Sequence, residues 1–273
     1  MARAIKKADA VVVGAGAGLS TSAGFSYAGD RFHHYFFDFQ EKYGITDMYT
    51  GGFFPFPDKA TYWAWWARSI YVNRYMAAPK PVYQDLKRVL AGKDYFVLTT
   101  NTDHQFQAAG FEKKRLFYTQ GDYGLFQIDG ETFDNRSWVL AAMAAQGFVL
   151  DENGVYQVPD DRQLKLTLLE ALLPEADVAL NLRVDESFVE DAGWKKASAT
   201  FLKKHQKKRV LYLELGVGGN TPVIIKYPFW AMALKNPKAT YACLNYGEAC
   251  ALMALGVLAI VLNGDIGEVL KQL

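Results

Sequence analysis

The chain has few cysteines and no cysteine motif. Cys243 and Cys250 are its only two cysteines, and no Cys-x-x-Cys pair is present. A structural zinc site takes four cysteine or histidine ligands at short paired spacings, so we predict no metal site. We expect both cysteines to be reduced, buried thiols, with Cys243 in a strand and Cys250 in the following helix.

The chain also lacks an excess of one charge and a long apolar run. Its 30 Lys and Arg residues balance 29 Asp and Glu residues, so the whole molecule has no electrostatic reason to coat nucleic acid or an anionic membrane. No apolar run approaches the roughly 18 residues of a spanning helix. The first apolar run is too short for a signal peptide, and we therefore expect a cytoplasmic protein.

Apolar stretches of strand length recur along the chain, and most are continuous, as in parallel strands covered on both faces. They are Ala10–Val13, Tyr95–Thr99, Leu116–Thr119, Val178–Leu182, Val210–Leu215, Thr240–Asn245 and Val257–Leu262. Helices are predicted over Pro81–Ala91 and Gly267–Leu273 and after an opening Thr221-Pro222. This alternation predicts an α/β fold with a doubly wound, Rossmann-like parallel sheet.

Two stretches interrupt this alternation, and we expect these two inserts to form a smaller second domain. Residues 30–77 are rich in aromatic side chains and predict a helical insert. Residues 121–174 contain Asp-Gly and Asn-Gly turns, which are typical of a small antiparallel β module. The Rossmann-like domain then takes residues 1–29, 78–120 and 175–273.

A glycine-rich turn, GAGAGLS, follows the first strand, but it is not the common dinucleotide fingerprint. That fingerprint needs Gly-x-Gly-x-x-Gly; counting from Gly14 puts Leu19 at the last position, and counting from Gly16 puts Thr21 there. A second such turn, GVGGNT at residues 216–221, follows another strand. Two glycine turns in one sheet favour an extended ligand that carries phosphates.

Polar side chains at the ends of neighbouring strands strengthen this interpretation. Asn101 and Asp103 follow one predicted strand, Gln120 follows another and Asn245 ends a third. Ligands of open α/β sheets collect at the carboxyl ends of the strands, where these carboxamides and this carboxylate can bind ribose hydroxyls.

These motifs resemble those of one family, the sirtuins. Gly16-Ala17-Gly18-Leu19-Ser20 resembles the sirtuin Gly-Ala-Gly-Ile-Ser, and TTNTDHQ resembles Thr-Gln-Asn-Ile-Asp. LELGVGG, CLN and NGDIGEVL stand where sirtuins carry Gly-Thr-Ser, Ile-Asn and their C-terminal Gly-Asp motif. These motifs follow one another in the sirtuin order and together span nearly the whole chain. TQGDYG and stretches of residues 45–56 and 181–191 are most similar to the macrodomain-linked (class M) bacterial sirtuins.

The resemblance implies NAD in a groove between the large sheet and the small domain. It implies Asn101, Gln120 and Asp103 as catalytic residues. It places Gly16, Ala17 and Gly18 under the pyrophosphate, using backbone N–H groups and a helix N-terminus. The implied cofactor-binding residues are Gly16, Ala17, Gly18, Ser20, Ala23, Arg31, Phe32, Thr100, Asn101, Asp103, Gln120, Gly216, Gly218, Asn220, Asn245, Tyr246, Asp265 and Ile266.

Two departures from the family matter. Sirtuins usually carry a four-cysteine zinc module where residues 121–174 contain no cysteine. Deacylating sirtuins have a histidine where this chain has Gln120. Deacylation needs a base that accepts a ribose hydroxyl proton, and a carboxamide cannot take it, although it can orient the ribose. The chain is therefore predicted to transfer ADP-ribose from NAD to a protein, with release of nicotinamide.

The resemblance further implies an acceptor and a partner enzyme. The acceptor is expected to be an acidic, lipoylated carrier protein similar to the glycine-cleavage H protein, and a macrodomain hydrolase is expected as the functional partner. The basic run 195–209, KKASATFLKKHQKKR, is either a solvated helix face or the docking surface for such a carrier.

Alternative functions stay open at this point. One is an NAD-dependent protein deacylase in which His104 or water replaces the missing base, and the other is a non-catalytic sensor of NAD or ADP-ribose. For His104 we favour a structural role over catalysis. His33 and His34 are interpreted as packed or solvent-exposed side chains, and His205 as solvated.

Overall fold

The computed structural model describes residues 1–219 and 222–273. The chain divides into two compact units. Unit 1 comprises Met1–Gly24, Ala78–Gly121 and Glu190–Leu273, and unit 2 comprises Phe25–Ala77 and Asp122–Val189. No helix in the described ranges has the length and apolar character needed to cross a bilayer.

The strands and helices follow in chain order. The strands are β1 (Ala10–Ala15), β2 (Tyr95–Thr99), β3 (Leu116–Tyr118), β4 (Gly121–Ile128), β5 (Glu131–Asp134), β6 (Val149–Leu150), β7 (Tyr156–Gln157), β8 (Ala179–Leu182), β9 (Val210–Leu215), β10 (Thr240–Asn245) and β11 (Ala259–Asn263). The α-helices are α1 (Ala2–Lys7), α2 (Ala17–Ser22), α3 (Asp30–Tyr43), α4 (Met48–Gly51), α5 (Lys59–Ile70), α6 (Val82–Val89), α7 (Gln105–Ala108), α8 (Arg136–Ala145), α9 (Ala192–His205), α10 (Lys226–Lys235) and α11 (Ile266–Gln272). A π-helical turn at Tyr71–Tyr75 and 3₁₀ turns at Lys113–Arg115, Glu170–Leu172 and Met253–Leu258 complete the described elements.

Unit 1 is built on a parallel sheet that, over its described residues, has the strand order β11-β10-β9-β1-β2-β3. In the register of the central strands, Val12 lies between Phe96 of β2 and Tyr212 of β9. Val12 and Tyr212 pack with Phe229 of α10, while Val11 and Val13, which point to the opposite face, are also fully buried. Both faces are thus covered, which confirms the predicted doubly wound α/β sheet.

Two predicted elements of the large domain differ in the structure. β8 was expected in the large sheet, but it belongs to a three-stranded sheet of order β5-β4-β8, and residues 175–189 lie in unit 2. A continuous apolar run does not specify which sheet it joins. α10 begins at Lys226 and not at Pro222, because Val223, Ile224 and Ile225 are three successive β-branched residues. Thr221 lies outside the described residues.

Unit 2 contains both predicted hairpins. The β4–β5 turn is Asp129-Gly130, with φ of +48° and +80°, as in a type I′ turn. β6 and β7 pair around Gly154, whose φ is +73°. The hairpin signals in residues 121–174 are therefore confirmed.

The aromatic stretch contributes much of the core of unit 2. Trp63, Trp65 and Trp66 of α5 are buried among rings that include Phe36 and Phe126, and the Trp65 and Phe36 ring centroids lie 4.6 Å apart. Gln127 joins β4 to the segment after β8: its Oε1 accepts bonds from Asn181 Nδ2 (2.9 Å) and the Val189 amide (3.1 Å). These contacts stabilise the small sheet without cysteine.

Candidate active site

The carboxyl edge of the unit 1 sheet has a topological switch point. From β1 the chain continues to β2 and β3 on one side, and β9, β10 and β11 follow on the other. Connections therefore leave the edge in opposite directions at β1 and β9, which is where open α/β sheets bind ligands. Both glycine-rich turns, at residues 14–18 and 216–219, lie at this point.

The two glycine turns touch each other through backbone atoms. A Cβ on Gly18 would lie 2.7 Å from the Cα of Gly216, and a Cβ on Gly216 would lie 2.4 Å from the Leu19 amide nitrogen. Gly216 also has a φ of +63°, a conformation that side chains disfavour. Close approach of the two loops therefore requires glycine.

This contact corrects one part of the predicted phosphate cradle. The Gly16 N–H donates to the Leu215 carbonyl at 3.0 Å, and the Gly18 N–H donates to the Gly216 carbonyl at 2.9 Å. These two amides are satisfied within the chain, so the expectation that they present their N–H groups to a pyrophosphate is wrong. That Gly16, Ala17 and Gly18 lie against the pyrophosphate stays a prediction.

Asn101 follows β2 and turns both of its amide protons inward. Its Nδ2 donates to the Gly16 carbonyl and to Ser20 Oγ, each at 3.0 Å. Because both partners are acceptors, they fix which way the carboxamide faces. No donor from the described residues bonds its Oδ1, which leaves this oxygen to accept a bond from a ligand hydroxyl.

Ser20, in α2, joins the two other polar residues predicted at this edge. Its Oγ donates to Asp103 Oδ2 at 2.5 Å and contacts the Tyr83 hydroxyl at 2.8 Å. Asp103 Oδ1 also accepts the Gln105 amide at 3.1 Å. Thus Ser20, Asn101 and Asp103, all predicted as site residues, are brought into one buried hydrogen-bond network.

Gln120 lies two residues beyond β3, at the same edge of the sheet as Asn101. Thr119 ties this turn to β2 by donating its amide (2.9 Å) and its hydroxyl (3.0 Å) to the Thr99 carbonyl. Thr100, next to Thr99, is half-buried and donates its amide to the Ala15 carbonyl at 3.0 Å. Gln120 is half-buried, and its carboxamide bonds none of the described residues, so it is available to a ligand.

His104 directly follows Asp103 but packs as a core residue. It is 5% exposed, and its ring stacks on Tyr118 with 3.6 Å between centroids and 13° between planes. Its Nδ1 is 3.2 Å from Gln107 Oε1, and its backbone adopts a left-handed φ of +54°. These contacts favour the structural role over the role of a replacement base.

The end of β10 carries Asn245 and Tyr246, two of the residues expected to bind the cofactor. Asn245 Nδ2 donates to the Val217 carbonyl at 3.2 Å, and its Oδ1 accepts the Tyr246 amide at 2.9 Å. Tyr246 is 79% exposed, so its ring is free of the core. The loop at Gly218 is held through Gly219, whose amide donates to Glu248 Oε2 at 3.2 Å. Asn220 lies outside the described residues.

Asp265 and Ile266 begin α11 and hold it to α2. The Asp265 carboxylate caps the helix by accepting the Glu268 amide at 3.0 Å and also accepts Ser22 Oγ at 3.1 Å. Ile266 is 2% exposed and Ala23, at the end of α2, is fully buried. These residues are therefore brought to the glycine turn, where they hold α2 in place.

Arg31 and Phe32, the two predicted site residues of unit 2, are engaged inside that unit. The Phe32 ring is 1% exposed and stacks on Phe36, so the structure places it in the core. Arg31 Nη1 donates to Asn73 Oδ1 at 2.9 Å and to the Ser26 carbonyl at 3.0 Å. Sequence spacing had placed Phe32 on the ligand because it follows the glycine turn closely.

The cysteines lie beside a buried ion pair. Glu214 Oε1 and Lys226 Nζ are 2.5 Å apart, and Cys243 Sγ is 3.4 Å from the same oxygen. Burial and the Glu214 carboxylate raise the pKa of Cys243 to about 11, which keeps it a thiol. Cys250 is exposed and follows β10 in a loop, so its predicted burial in a helix is wrong.

The described part of the chain contains no set of residues that fits zinc. Residues 121–174 contain neither cysteine nor histidine. In the described ranges no group of three or more His, Cys, Asp or Glu side chains is arranged to hold a metal ion.

Comparisons with known proteins place this chain in a family. No protein-family model matches the chain. Sirtuin structures share its fold: one solved in work on substrate affinity has a TM-score of 0.56 at 15% identity, covering 98% of this chain and 94% of that one. A Sir2 homologue solved with NAD also has a TM-score of 0.56, at 14% identity, covering 99% and 90%.

A closer relative in sequence is a protein ADP-ribosyltransferase of Staphylococcus aureus strain Mu50, 34% identical over 252 residues, which are 89% of this chain and 76% of that protein. The chain belongs to the sirtuin-fold protein ADP-ribosyltransferase family. A second relative of this family, from Fusarium oxysporum f. sp. cubense, is named a probable bifunctional ADP-ribose hydrolase/ADP-ribosyltransferase. It is 29% identical over 82% of this chain, which spans only 38% of that protein.

One residue of the network, Tyr83, has no counterpart among the predicted site residues. It lies in α6, between Val82 and Gln84, where an aromatic residue is typical of a core position. Its contacts with Ser20 and Asn101 show its connection to the site.

Proposed function

We propose that the chain is an NAD-dependent protein mono-ADP-ribosyltransferase. The observation that carries the proposal is the Ser20–Asn101–Asp103 network at the switch point, together with a carboxamide, Gln120, on the neighbouring strand end. The Staphylococcus relative, with its name of protein ADP-ribosyltransferase, supports the same reaction.

In this reaction the bond between the ribose carbon and the nicotinamide nitrogen breaks. A bond from the acceptor side chain to that carbon forms, and the acceptor proton passes to solvent. Asn101 Oδ1 and the Gln120 carboxamide would accept bonds from ribose hydroxyls and hold the sugar in place. Asp103 is proposed to support the nicotinamide side of the site, where its negative charge stabilises a positive ribose carbon.

The residues present fit a dinucleotide at this edge. The glycine turns at 14–18 and 216–219 leave backbone surface without side chains, and Asn245 and the exposed Tyr246 offer a carboxamide and a ring to the adenosine end. The predicted contacts of Gly216, Gly218 and Asn245 with phosphate and ribose remain part of this proposal.

The chemistry of Gln120 separates transfer from deacylation. A general base contributes roughly 10²–10⁴-fold to a step that needs proton removal, and a carboxamide does not titrate near neutral pH. His104, the alternative base, is stacked on Tyr118. Transfer of ADP-ribose does not require that base, and we therefore place deacylation second.

We also propose an acidic acceptor, a lipoylated carrier protein of the glycine-cleavage H type. Within α9 and the turn after it, four exposed lysines carry no ion pair to a described residue: Lys196, Lys203, Lys207 and Lys208. Neighbouring Lys195 and Lys204 are paired with Glu190 and Asp94. The four lysines offer a positive surface to an acidic partner.

His205 does not belong to this basic surface. It was expected to be solvated, but it is 2% exposed, and its Nδ1 lies 2.9 Å from the Phe201 carbonyl and its Nε2 3.1 Å from Asp94 Oδ2. Asp94 turns the ring inward, because it also binds Lys204 and Arg115 at the start of β2.

We propose a macrodomain hydrolase as the functional partner that removes the modification. The Fusarium relative, whose name joins an ADP-ribose hydrolase to an ADP-ribosyltransferase, supports this pairing.

The assay that tests the function mixes the protein with NAD and lipoylated or unlipoylated H-type carrier. We expect nicotinamide release together with a carrier mass increase of one ADP-ribose. An acylated peptide in a parallel reaction reports deacylation as O-acyl-ADP-ribose. If NAD binds tightly and is not consumed in any reaction, the protein is a sensor.

Charge reversal tests the acceptor surface. We expect the double variant K196E/K203E to lower carrier modification by about tenfold at low salt, and by less at high salt, because charge steering is screened. K235E/K238E, with the same change in net charge at the end of α10, is the matched control. Equal rates in the two variants would remove this surface from the proposal.

A further inference from the structure

A buried tyrosine is part of the polar network in unit 1. Tyr83 is 1% exposed, and its hydroxyl lies 2.8 Å from Ser20 Oγ. Its ring is held edge-on against Phe106 of α7, with 4.9 Å between the centroids. A phenol hydroxyl at such a depth needs a partner, and Ser20 provides it.

The direction of each hydrogen bond follows from counting protons. The Ser20 hydroxyl has one proton and two lone pairs. Asp103 Oδ2, 2.5 Å away, can only accept, so the Ser20 proton points at Asp103. The two lone pairs then accept from Asn101 Nδ2, at 3.0 Å, and from Tyr83, so Tyr83 is the donor.

Tyr83 keeps the proton that this role requires. Burial, together with the nearby negative charge of Asp103, raises the pKa of Tyr83 well above that of a free tyrosine. The hydroxyl therefore keeps its proton near neutral pH and can act as a donor.

The opposite arrangement would be unfavourable. If Ser20 donated to Tyr83, its oxygen would face the Asp103 carboxylate at 2.5 Å without a proton between them. By donating into Ser20, Tyr83 excludes this hydroxyl orientation and leaves the second lone pair for Asn101.

We infer that Tyr83 is a positioning residue, which fixes the Ser20 hydroxyl toward Asp103 and, through Ser20, fixes the Asn101 carboxamide with Oδ1 toward the ligand. The inference rests on the proposed function. Tyr83 needs no contact with substrate for this role.

The prediction concerns the turnover of NAD more than its binding. A carboxamide that can turn over presents Nδ2 in place of Oδ1 during part of the time, and misplaced groups lower the rate of the chemical step. We expect Y83F to lower kcat for nicotinamide release about tenfold while KM for NAD changes by less than about threefold. Y212F, which removes the hydroxyl of a tyrosine that is 3% exposed in β9, should keep the wild-type rate.

A double-mutant cycle separates positioning from general packing. If Tyr83 acts through Ser20, then S20A/Y83F should turn over no more slowly than S20A alone. Multiplied losses in the double variant would show an independent role and overturn the inference. A full rate in Y83F would overturn it as well, and so would loss of folding in Y83F but not in Y212F.

The rate of nicotinamide release by the wild-type protein must be measured first. If the wild-type protein releases no nicotinamide with any carrier or peptide, the proposed function fails first. If the wild-type protein releases nicotinamide but the variants do not show the expected rates, the inference on Tyr83 fails and the proposed function is unaffected.

Discussion

Two buried polar networks of this chain, one in each unit, both use their donors fully but differ in the acceptor that they leave unbonded. In unit 2, Arg68 is fully buried and uses all five of its N–H groups: two bind the Asp38 carboxylate at 2.6 and 2.8 Å, and the others bind Gln146 and the carbonyls of Tyr35 and Lys165. In unit 1, the bonds of Asn101 use its two protons and leave its oxygen.

The difference separates a structural network from the one that we propose binds the ligand. A guanidinium with every donor satisfied inside the chain has nothing to offer a ligand, and it holds α3 and α5 together. A carboxamide that is fixed on one side and open on the other is prepared for a ligand. The surroundings of the two residues support this distinction, because aromatic rings enclose Arg68 whereas a glycine turn borders Asn101.

The largest effect is expected at Gly216, in one of the glycine turns beside the Asn101 network. In Gly216→Ala, the added Cβ would meet the Leu19 amide at 2.4 Å, in a backbone with φ of +63°. Neither loop can move without breaking the sheet register, so we expect a loss of more than about 4 kcal/mol in the free energy of unfolding. Urea unfolding would measure it, with Gly219→Ala as the control, since a Cβ there meets nothing within 4 Å.

Breaking the Arg68 network of unit 2 should lower the free energy of unfolding somewhat less. Arg68→Met leaves the Asp38 carboxylate without its cation, and we expect a loss of about 3–5 kcal/mol in unfolding free energy. Replacement of both partners, in R68M/D38L, should recover part of this loss, because the unpaired charge is gone. If R68M unfolds at the wild-type urea concentration, the network is not structural.

The smallest effect concerns an ion pair at the surface. Arg209, through hydrogen bonds from its side chain and backbone, lowers the pKa of Asp9 to about 2 from an ordinary 3.8. A lowered folded-state pKa gives stability that is present above pH 3.8 and is lost as the pH falls toward 2. Melting temperatures of wild type and Asp9→Asn should differ slightly at pH 5 and converge near pH 2; a difference that grows on acidification would contradict this.

Much of the sheet was predictable because buried parallel strands leave continuous apolar runs. β2, β9 and β10 have the predicted bounds, β1 extends past its predicted end to Ala15, and β11 is shifted along the chain to Ala259–Asn263. β8 shows the limit of this pattern. An apolar run such as that of β8 is compatible with either sheet. Its place in the small sheet depends on bonds between residues far apart in the chain, such as that of Asn181 to Gln127, which a local sequence pattern does not reveal.

The candidate site, too, was predictable only in part. The rule that ligands bind at strand ends brought together Asn101, Asp103 and Gln120, because strand order alone places them at one edge. Phe32 was placed on the ligand by its spacing from the glycine turn, a different argument, and its ring packs in the core of unit 2. Tyr83 was not predicted, because only its contacts with Ser20 and Asn101 in the structure connect it to the site.

Asn101 offers the most direct test of the central claim, that this open network breaks the bond between ribose and nicotinamide. Asn101→Asp keeps the size of the side chain but removes both donors to Gly16 and Ser20, while Gln206→Ala alters an exposed residue after α9 and is the control. The rate of nicotinamide release should fall by at least about a hundredfold in Asn101→Asp and in Asn101→Ala, with the fold retained, and stay unchanged in the control. Wild-type rates of release in folded Asn101 variants would contradict the account.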